Sequence, residues 1–184
     1  ISGRHDKPLL HIGIGASTTD IGFEIDGKMM FSRTFSVGGQ LFTDAIARAG
    51  RLSGVQAENI KVTKDGLTDP DAAVADPLRE AADMWFSELQ ACLSVYENLF
   101  PGDAGSPGTV VLSGGGSLLK GLSAFIEERL GTHTVPIADL PGKALMDDPA
   151  IYATACGLAM AGLESRTHHV SLLPQRMRDE LTFR

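Results

Sequence analysis

The sequence predicts an α/β domain: a mixed sheet that opens with an antiparallel meander and carries flanking helices. Three observations lead there. Short apolar runs of strand length near the start are joined by tight-turn residues, Asp26-Gly27 above all. Later segments repeat apolar residues at intervals of three and four, the stripe of a packed helix. Between two such segments, Thr109-Val110-Val111-Leu112 is apolar almost throughout, as a strand covered on both faces must be.

The elements follow in order. Residues 1–8 are polar and charged, an exposed lead-in. A first strand begins at Leu9, breaks at Gly15-Ala16-Ser17-Thr18, and resumes from Thr19 to Ile25. A third strand runs from Lys28 to Val37, with Met29, Phe31, Phe35 and Val37 expected on one face. Gly38-Gly39 ends it, and Leu41, Phe42, Ala45, Ile46 and Ala49 form the stripe of a helix over residues 40–49. Residues 51–73 are short and turn-rich, with a brief helix near Val55–Lys61. The longest helix starts after Asp76, read as its cap, with Pro77 at the first helical position. Its stripe is Leu78, Ala82, Trp85, Leu89, Cys92, Tyr96 and Leu99. Residues 101–108 form a loop, and the apolar strand then runs through Ser113-Gly114-Gly115-Gly116-Ser117 into a helix ended by Gly131. An edge strand at Thr134–Pro136 and a small-residue helix from Asp148-Pro149 complete the domain, and residues 164–184 form a tail.

Composition narrows the function. The 184 residues hold one domain and a small subdomain, and 43% hydrophobic content is enough for a core. A formal charge of −7 offers no attraction to a phosphate backbone, so nucleic-acid binding is not expected. Cys92 and Cys156 stand alone and read as free thiols. No run approaches a membrane span, and no signal peptide opens the chain, which predicts a cytoplasmic protein. The chain opens at Ile1 rather than methionine, which predicts a piece of something longer.

The 21 glycines cluster at fixed places, and two clusters bear on chemistry. In Gly13-Ile14-Gly15-Ala16-Ser17-Thr18-Thr19, small residues and hydroxyls turn between strands, a nest for terminal phosphates or simply a tight hairpin. Gly114-Gly115-Gly116 lies between an apolar strand and a helix, where three glycines disfavour the fold unless something needs close backbone approach. A helix amino end there would favour anionic groups. The spacing is neither a P-loop nor a Rossmann fingerprint. Other chemistries lack residues. His5, His11, His133, His168 and His169 form no ligand set, no serine sits in a nucleophile elbow, and Asp69, Asp71, Asp147 and Asp148 read as caps or solvated acids. Trp85 and Tyr96 fall on a buried stripe and read as core. No catalytic and no metal residues are assigned.

Taken together, Gly13–Thr19, Gly27-Lys28, Phe35–Leu41, the Ala57-Glu58-Asn59-Ile60-Lys61 segment, Leu112–Leu122 and Ala153–Ala159 resemble, in order and spacing, the second domain of the actin-like ATPases. The resemblance covers about residues 9–163 and is nearest to the PilM family, with the FtsA group next. It implies a ribonuclease H-like fold, with a small IIB subdomain near residues 51–75. It also implies phosphate contacts from Gly15, Ala16, Ser17, Thr18 and Thr19, and ribose and adenine contacts from Glu58, Lys61, Gly114, Gly115, Gly116 and Ser117.

Two departures from the family pattern bear on mechanism. Where the family has an aspartate that orients hydrated Mg²⁺, this chain has Gly13, which speaks against fast hydrolysis. Domain I and its phosphate loop lie outside the matching stretch, so ATP and Mg²⁺ are expected only in a full-length protein, and no cofactor in this chain alone. The tail segment Val170-Ser171-Leu172-Leu173-Pro174 resembles the start of PilN, an inner-membrane partner, and makes Leu172, Leu173 and Pro174 partner-binding candidates. The resemblance thus implies a scaffold of a type IV pilus or type II secretion-like platform, cytoplasmic and peripheral to the inner membrane. Two alternatives remain: half of an ATPase active only at full length, and an FtsA-like cell-division filament protein.

Overall fold

The computed structural model describes residues 7–64, 66–67, 75–101, 107–139 and 148–163. The chain divides into two units, 1–153 and 154–184. The first holds a five-stranded sheet with β1 (Leu9–Ile14), β2 (Thr19–Ile25), β3 (Lys28–Phe35), β4 (Thr109–Ser113) and β5 (Thr134–Pro136), in the order β3-β2-β1-β4-β5. The first three strands pair antiparallel, whereas β4 runs parallel to both β1 and β5. The sheet is mixed, as the sequence predicts.

Side-chain alternation fixes the register. Leu10, Ile12 and Ile14 are buried on one face of β1, opposite Phe23, Ile21 and Thr19 of β2. Val110 and Leu112 continue that face on β4. Asp26 and Gly27 both have positive φ, 52° and 75°, the geometry of a two-residue hairpin whose twist matches its strands. Pro136, which has no N–H to donate, sits where an outer strand tolerates it.

Helices α1 (Gly39–Gly50) and α3 (Ala75–Leu99) cover this face, α2 (Gly54–Thr63) packs on α1, and α4 (Leu122–Leu130) follows β4. Along α3, the residues from Leu78 to Tyr96 of the expected stripe are buried, and Tyr96 stacks flat on Phe23 at 3.7 Å. Trp85 stands between Phe35 and Phe42, with ring centroids 6.3 and 6.4 Å away. Phe125 of α4 meets Phe86 edge-on, and the Arg129 guanidinium lies over its ring. The last helix, α5 (Pro149–Leu163), begins in the first unit, and its continuation from Thr154 is the described part of the second.

Five expectations change in detail. The register shifts between Phe23 and Glu24, so that Phe23 faces Phe31 while Glu24 faces Met29, leaving Met30 as the extra residue of a bulge. Met29 therefore lies on the opposite face from Phe31, against Gly22, and is 58% exposed. β3 ends at Phe35, not Val37. The α3 stripe stops before Leu99, which is exposed, and α3 begins at Ala75, so Asp76 lies in its first turn rather than capping it. Pro77 is tolerated there because first-turn N–H groups have no acceptor within the helix. The glycine run after β4 enters a 3-10 turn, Gly115–Leu118, and α4 starts only at Leu122 behind Gly121, whose φ is 84°. No α-helix amino end stands on that run. Of the lead-in, residues 1–6 lie outside the described residues, as do residues 164–184 of the tail.

Candidate functional site

A cavity of about 650 Å³ opens beyond the carboxyl ends of β1 and β4, the place where layered α/β sheets form sites. Gly15 and Ala16 come from the turn after β1, and Gly115 and Gly116 from the turn after β4. Gly39, Gln40 and Thr43 come from the first turns of α1, and Gly54, Val55, Glu58, Asn59, Lys61 and Val62 from α2.

Backbone forms the floor. The first turn closes on itself through Gly15 N–H to Thr18 O at 2.9 Å. It is clamped from behind, because Gly39 N–H donates to Gly15 O and Gln40 N–H to Ala16 O, both at 2.8 Å. The start of α1 is thereby occupied by the turn, and it satisfies donors that a helix otherwise leaves open. The approach is so close that a Cβ on Gly38 would stand 2.6 Å from Gly15 O. The second turn presses equally close: a Cβ on Gly114 would stand 2.3 Å from Ile14 O, and one on Gly116 2.3 Å from Ile14 Cγ2. Gly39 meets Gly116 Cα at 3.1 Å by the same measure. The glycine clusters thus pack on one another, which explains the absence of side chains at Gly38, Gly114 and Gly116.

Side chains form the wall. Ser53 and Gln56 make a reciprocal capping box that starts α2, and the helix then turns Glu58 and Lys61 toward α1. Lys61, with its side chain 5% exposed, donates from Nζ to Glu58 Oε2 at 2.7 Å, Thr43 Oγ1 at 3.1 Å and Gly39 O at 3.5 Å. The Thr43 hydroxyl donates to Glu58 Oε2 at 2.6 Å. Partial burial pushes the Glu58 carboxyl up, but the hydrogen bonds from Lys61 and Thr43 and the Lys61 charge outweigh it and hold the carboxyl below its ordinary value. The arrangement offers a buried cation, a half-exposed carboxylate that accepts from hydroxyls, and a floor of backbone with only the Ala16 methyl on it.

Of the residues singled out from sequence, Gly15, Ala16, Glu58, Lys61, Gly115 and Gly116 line this cavity together. Others have different places. Ser17 is exposed and Thr18 half-buried, neither on the lining. Thr19 is fully buried behind the turn, its hydroxyl bonded into the core. Ser117 donates to Gly114 O at 2.7 Å, holding the glycine turn rather than facing the cavity, and Gly114 acts as the turn's pivot. Leu172, Leu173 and Pro174 lie outside the described residues. Thr43, Gln40, Val55 and Asn59 were missed. A lone threonine between Phe42 and Ala45 on a buried stripe was the available signal for the first.

Among the described residues no group of three or more His, Cys, Asp or Glu is placed to hold a metal ion, and no helix is long and apolar enough to cross a membrane. At Gly13, an added Cβ would meet Ser113 Oγ at 3.4 Å and Asp20 Cβ at 4.0 Å, so a Cβ is accommodated there at ordinary contact distances.

Comparison with known proteins supplies the context. A profile of the family described as type IV pilus assembly protein PilM matches residues 2–163. The cell division protein FtsA of Pseudomonas aeruginosa is 31% identical over 88% of this chain and 43% of its own length. A solved structure of a PilM–PilN type IV pilus biogenesis complex superposes with a TM-score of 0.71 at 28% identity, over 86% of this chain and 47% of that one. MreB5 of Spiroplasma citri, solved bound to ADP, shares the fold at a TM-score of 0.64 and 19% identity, over 84% of this chain and 53% of that one. The chain therefore spans less than half the length of FtsA and of the PilM–PilN chain it matches. The shared architecture is that of the actin-like ATPases.

Proposed function

The chain belongs to the PilM family of type IV pilus assembly proteins within the actin-like ATPase superfamily, and from that premise we propose that it is the nucleotide-cradling second domain of a pilus or secretion-platform scaffold. The observation that carries this reading is the cavity in which both glycine turns and the Lys61–Glu58–Thr43 cluster converge. A glycine floor admits phosphates against backbone, and the buried ammonium with its carboxylate suits the hydroxyls and ring nitrogens of a nucleoside. Ser17 and Thr18, at the turn's outer edge, contact phosphate only from the side of a second domain.

ATP fits these residues. Mg²⁺ fits them less well, because Gly13 supplies no carboxylate and Glu58 is already engaged by Lys61 and Thr43. The proposed role is accordingly a scaffold whose nucleotide stabilises a shape, rather than a fast hydrolase. The partner is an inner-membrane protein resembling PilN, a reading supported by the likeness to the PilM–PilN complex. Residues Leu172, Leu173 and Pro174 are its docking segment, and the location is the cytoplasmic side of the inner membrane.

Titration calorimetry tests the nucleotide half. The isolated chain binds ATP no tighter than about 0.1 mM, near −5.5 kcal/mol, because one wall of a two-domain cleft leaves the triphosphate in water. The full-length protein binds more tightly. Equal affinity in the two would overturn the shared-cleft reading.

A further inference from the structure

We propose that Thr19 is a positioning residue that sets the turn 15–18 through a buried hydrogen-bond chain from Trp85, a role that rests on the nucleotide reading of the cavity only for its ligand readout. The indole Nε1–H of Trp85 donates to Thr19 Oγ1 at 2.9 Å, and the Thr19 hydroxyl donates to Val37 O at 2.7 Å. Both side chains are fully buried.

The chain joins two points that the cavity floor needs held together. Thr19 follows Thr18 directly, so it anchors the turn's far end. Val37 precedes Gly38-Gly39, the clamp whose N–H at Gly39 holds Gly15 O and whose neighbour Gln40 holds Ala16 O. Trp85 of α3 gives the fixed end, since its ring stands between Phe35 of β3 and Phe42 of α1.

Packing alone gives no reason for a hydroxyl here. The neighbouring buried positions of the same sheet face are Ile14, Ile21 and Phe23, and valine has the shape of threonine. A buried hydroxyl is unfavourable unless bonded, and a buried indole N–H requires an acceptor. Thr19 meets both needs while fixing the Val37 carbonyl, and with it the seat of Gly38 beneath Gly15 O and Ala16 O.

The test compares Thr19→Val, Thr19→Ser and Trp85→Phe in the full-length protein. Amide exchange without nucleotide is read at Gly39 and Gln40, whose N–H groups make the clamp, and at Ile12 and Leu112 in the sheet. Thr19→Val and Trp85→Phe should raise clamp exchange about tenfold or more with sheet amides unchanged, whereas Thr19→Ser should stay within about twofold of wild type. ATP affinity should fall in the same order. Unchanged clamp exchange in a folded Thr19→Val or Trp85→Phe would overturn the proposal, as would a rise shared equally by Ile12 and Leu112. A rise confined to the clamp in a protein that binds no ATP would uphold the positioning role and overturn the nucleotide reading instead.

Discussion

The floor and the wall of the cavity are made in opposite ways. On the floor, Gly38, Gly114 and Gly116 contribute by having no side chain, since each lies where a Cβ would overlap backbone or Ile14. On the wall, Thr43, Glu58 and Lys61 contribute only through side chains. The difference teaches that the two parts fail differently. Damage to the floor is damage to the fold, because the strand-end turns and the start of α1 are packed there. Damage to the wall leaves the packing and removes the chemistry.

The largest effect follows from breaking the floor. Gly114→Ala places a methyl 2.3 Å from Ile14 O at a φ of +81°, and backbone cannot rotate away as a side chain does. A loss of about 3 kcal/mol or more is expected, a fall in thermal midpoint of roughly 6–12 °C. Gly115→Ala is the control, since nothing stands within 4 Å of its added Cβ. Its midpoint should move by less than about 2 °C. Equal destabilisation by the two would remove the claim that close approach, not glycine content, makes Gly114 intolerant of a side chain.

Sequence alone disclosed the floor better than the wall. Glycine clusters are conspicuous, and a strand-to-helix run such as Ser113–Ser117 has few explanations besides close approach. Their mutual contact through Gly38-Gly39 was not legible, because it joins segments far apart in the chain. The bulge at Met30 leaves no mark on a period of two, so simple alternation assigns Met29 to the wrong face. Thr19 continues the hydroxyl run of Ser17 and Thr18, although its alternation with Ile21 and Phe23 already places it inward. Glu58 and Lys61 are singled out by resemblance alone, not by composition or periodicity. Thr43, which binds them together, needed the packing of α1 on α2 to be seen.

The wall sharpens the comparison next. Lys61→Met keeps the aliphatic stem but removes the cation, so full-length protein should lose roughly tenfold to a hundredfold in ATP affinity by calorimetry. Its thermal midpoint should fall far less than that of Gly114→Ala. A collapse of the fold in Lys61→Met would show that the wall is structural too.

A smaller effect is written in acid. The folded-state pKa of Glu58 is lowered, so its stabilising contribution is fully present above the unfolded value, about 4.3, and is lost as pH falls through the folded one. The carboxylate is 51% exposed, and solvent screening keeps the contribution small. The difference in thermal midpoint between wild type and Glu58→Gln should therefore shrink as pH falls from about 5 to 3. A difference that stays constant over this range would mean the Lys61–Glu58 charge pair contributes nothing to stability.

The smallest effect on stability is expected at Gly13 of β1, whose added Cβ makes only ordinary contacts, 3.4 Å to Ser113 Oγ and 3.9 Å to Asp20 O. Gly13→Asp should leave the thermal midpoint within about 2 °C, because a Cβ there meets none of the overlaps it would meet at Gly38, Gly114 and Gly116. The substitution instead adds a wall-like feature, a carboxylate at the strand end beside the turn. If the absence of that carboxylate is what separates this chain from a metal-assisted ATPase, ATP binding by full-length Gly13→Asp should become stronger when Mg²⁺ is added, while wild type responds less. Calorimetry with and without the metal reads the difference. An identical metal response in both proteins would mean that position 13 does not govern metal binding. A large loss of stability would mean that Gly13 belongs with the close-packed glycines after all, and the division between floor and wall would need to be redrawn.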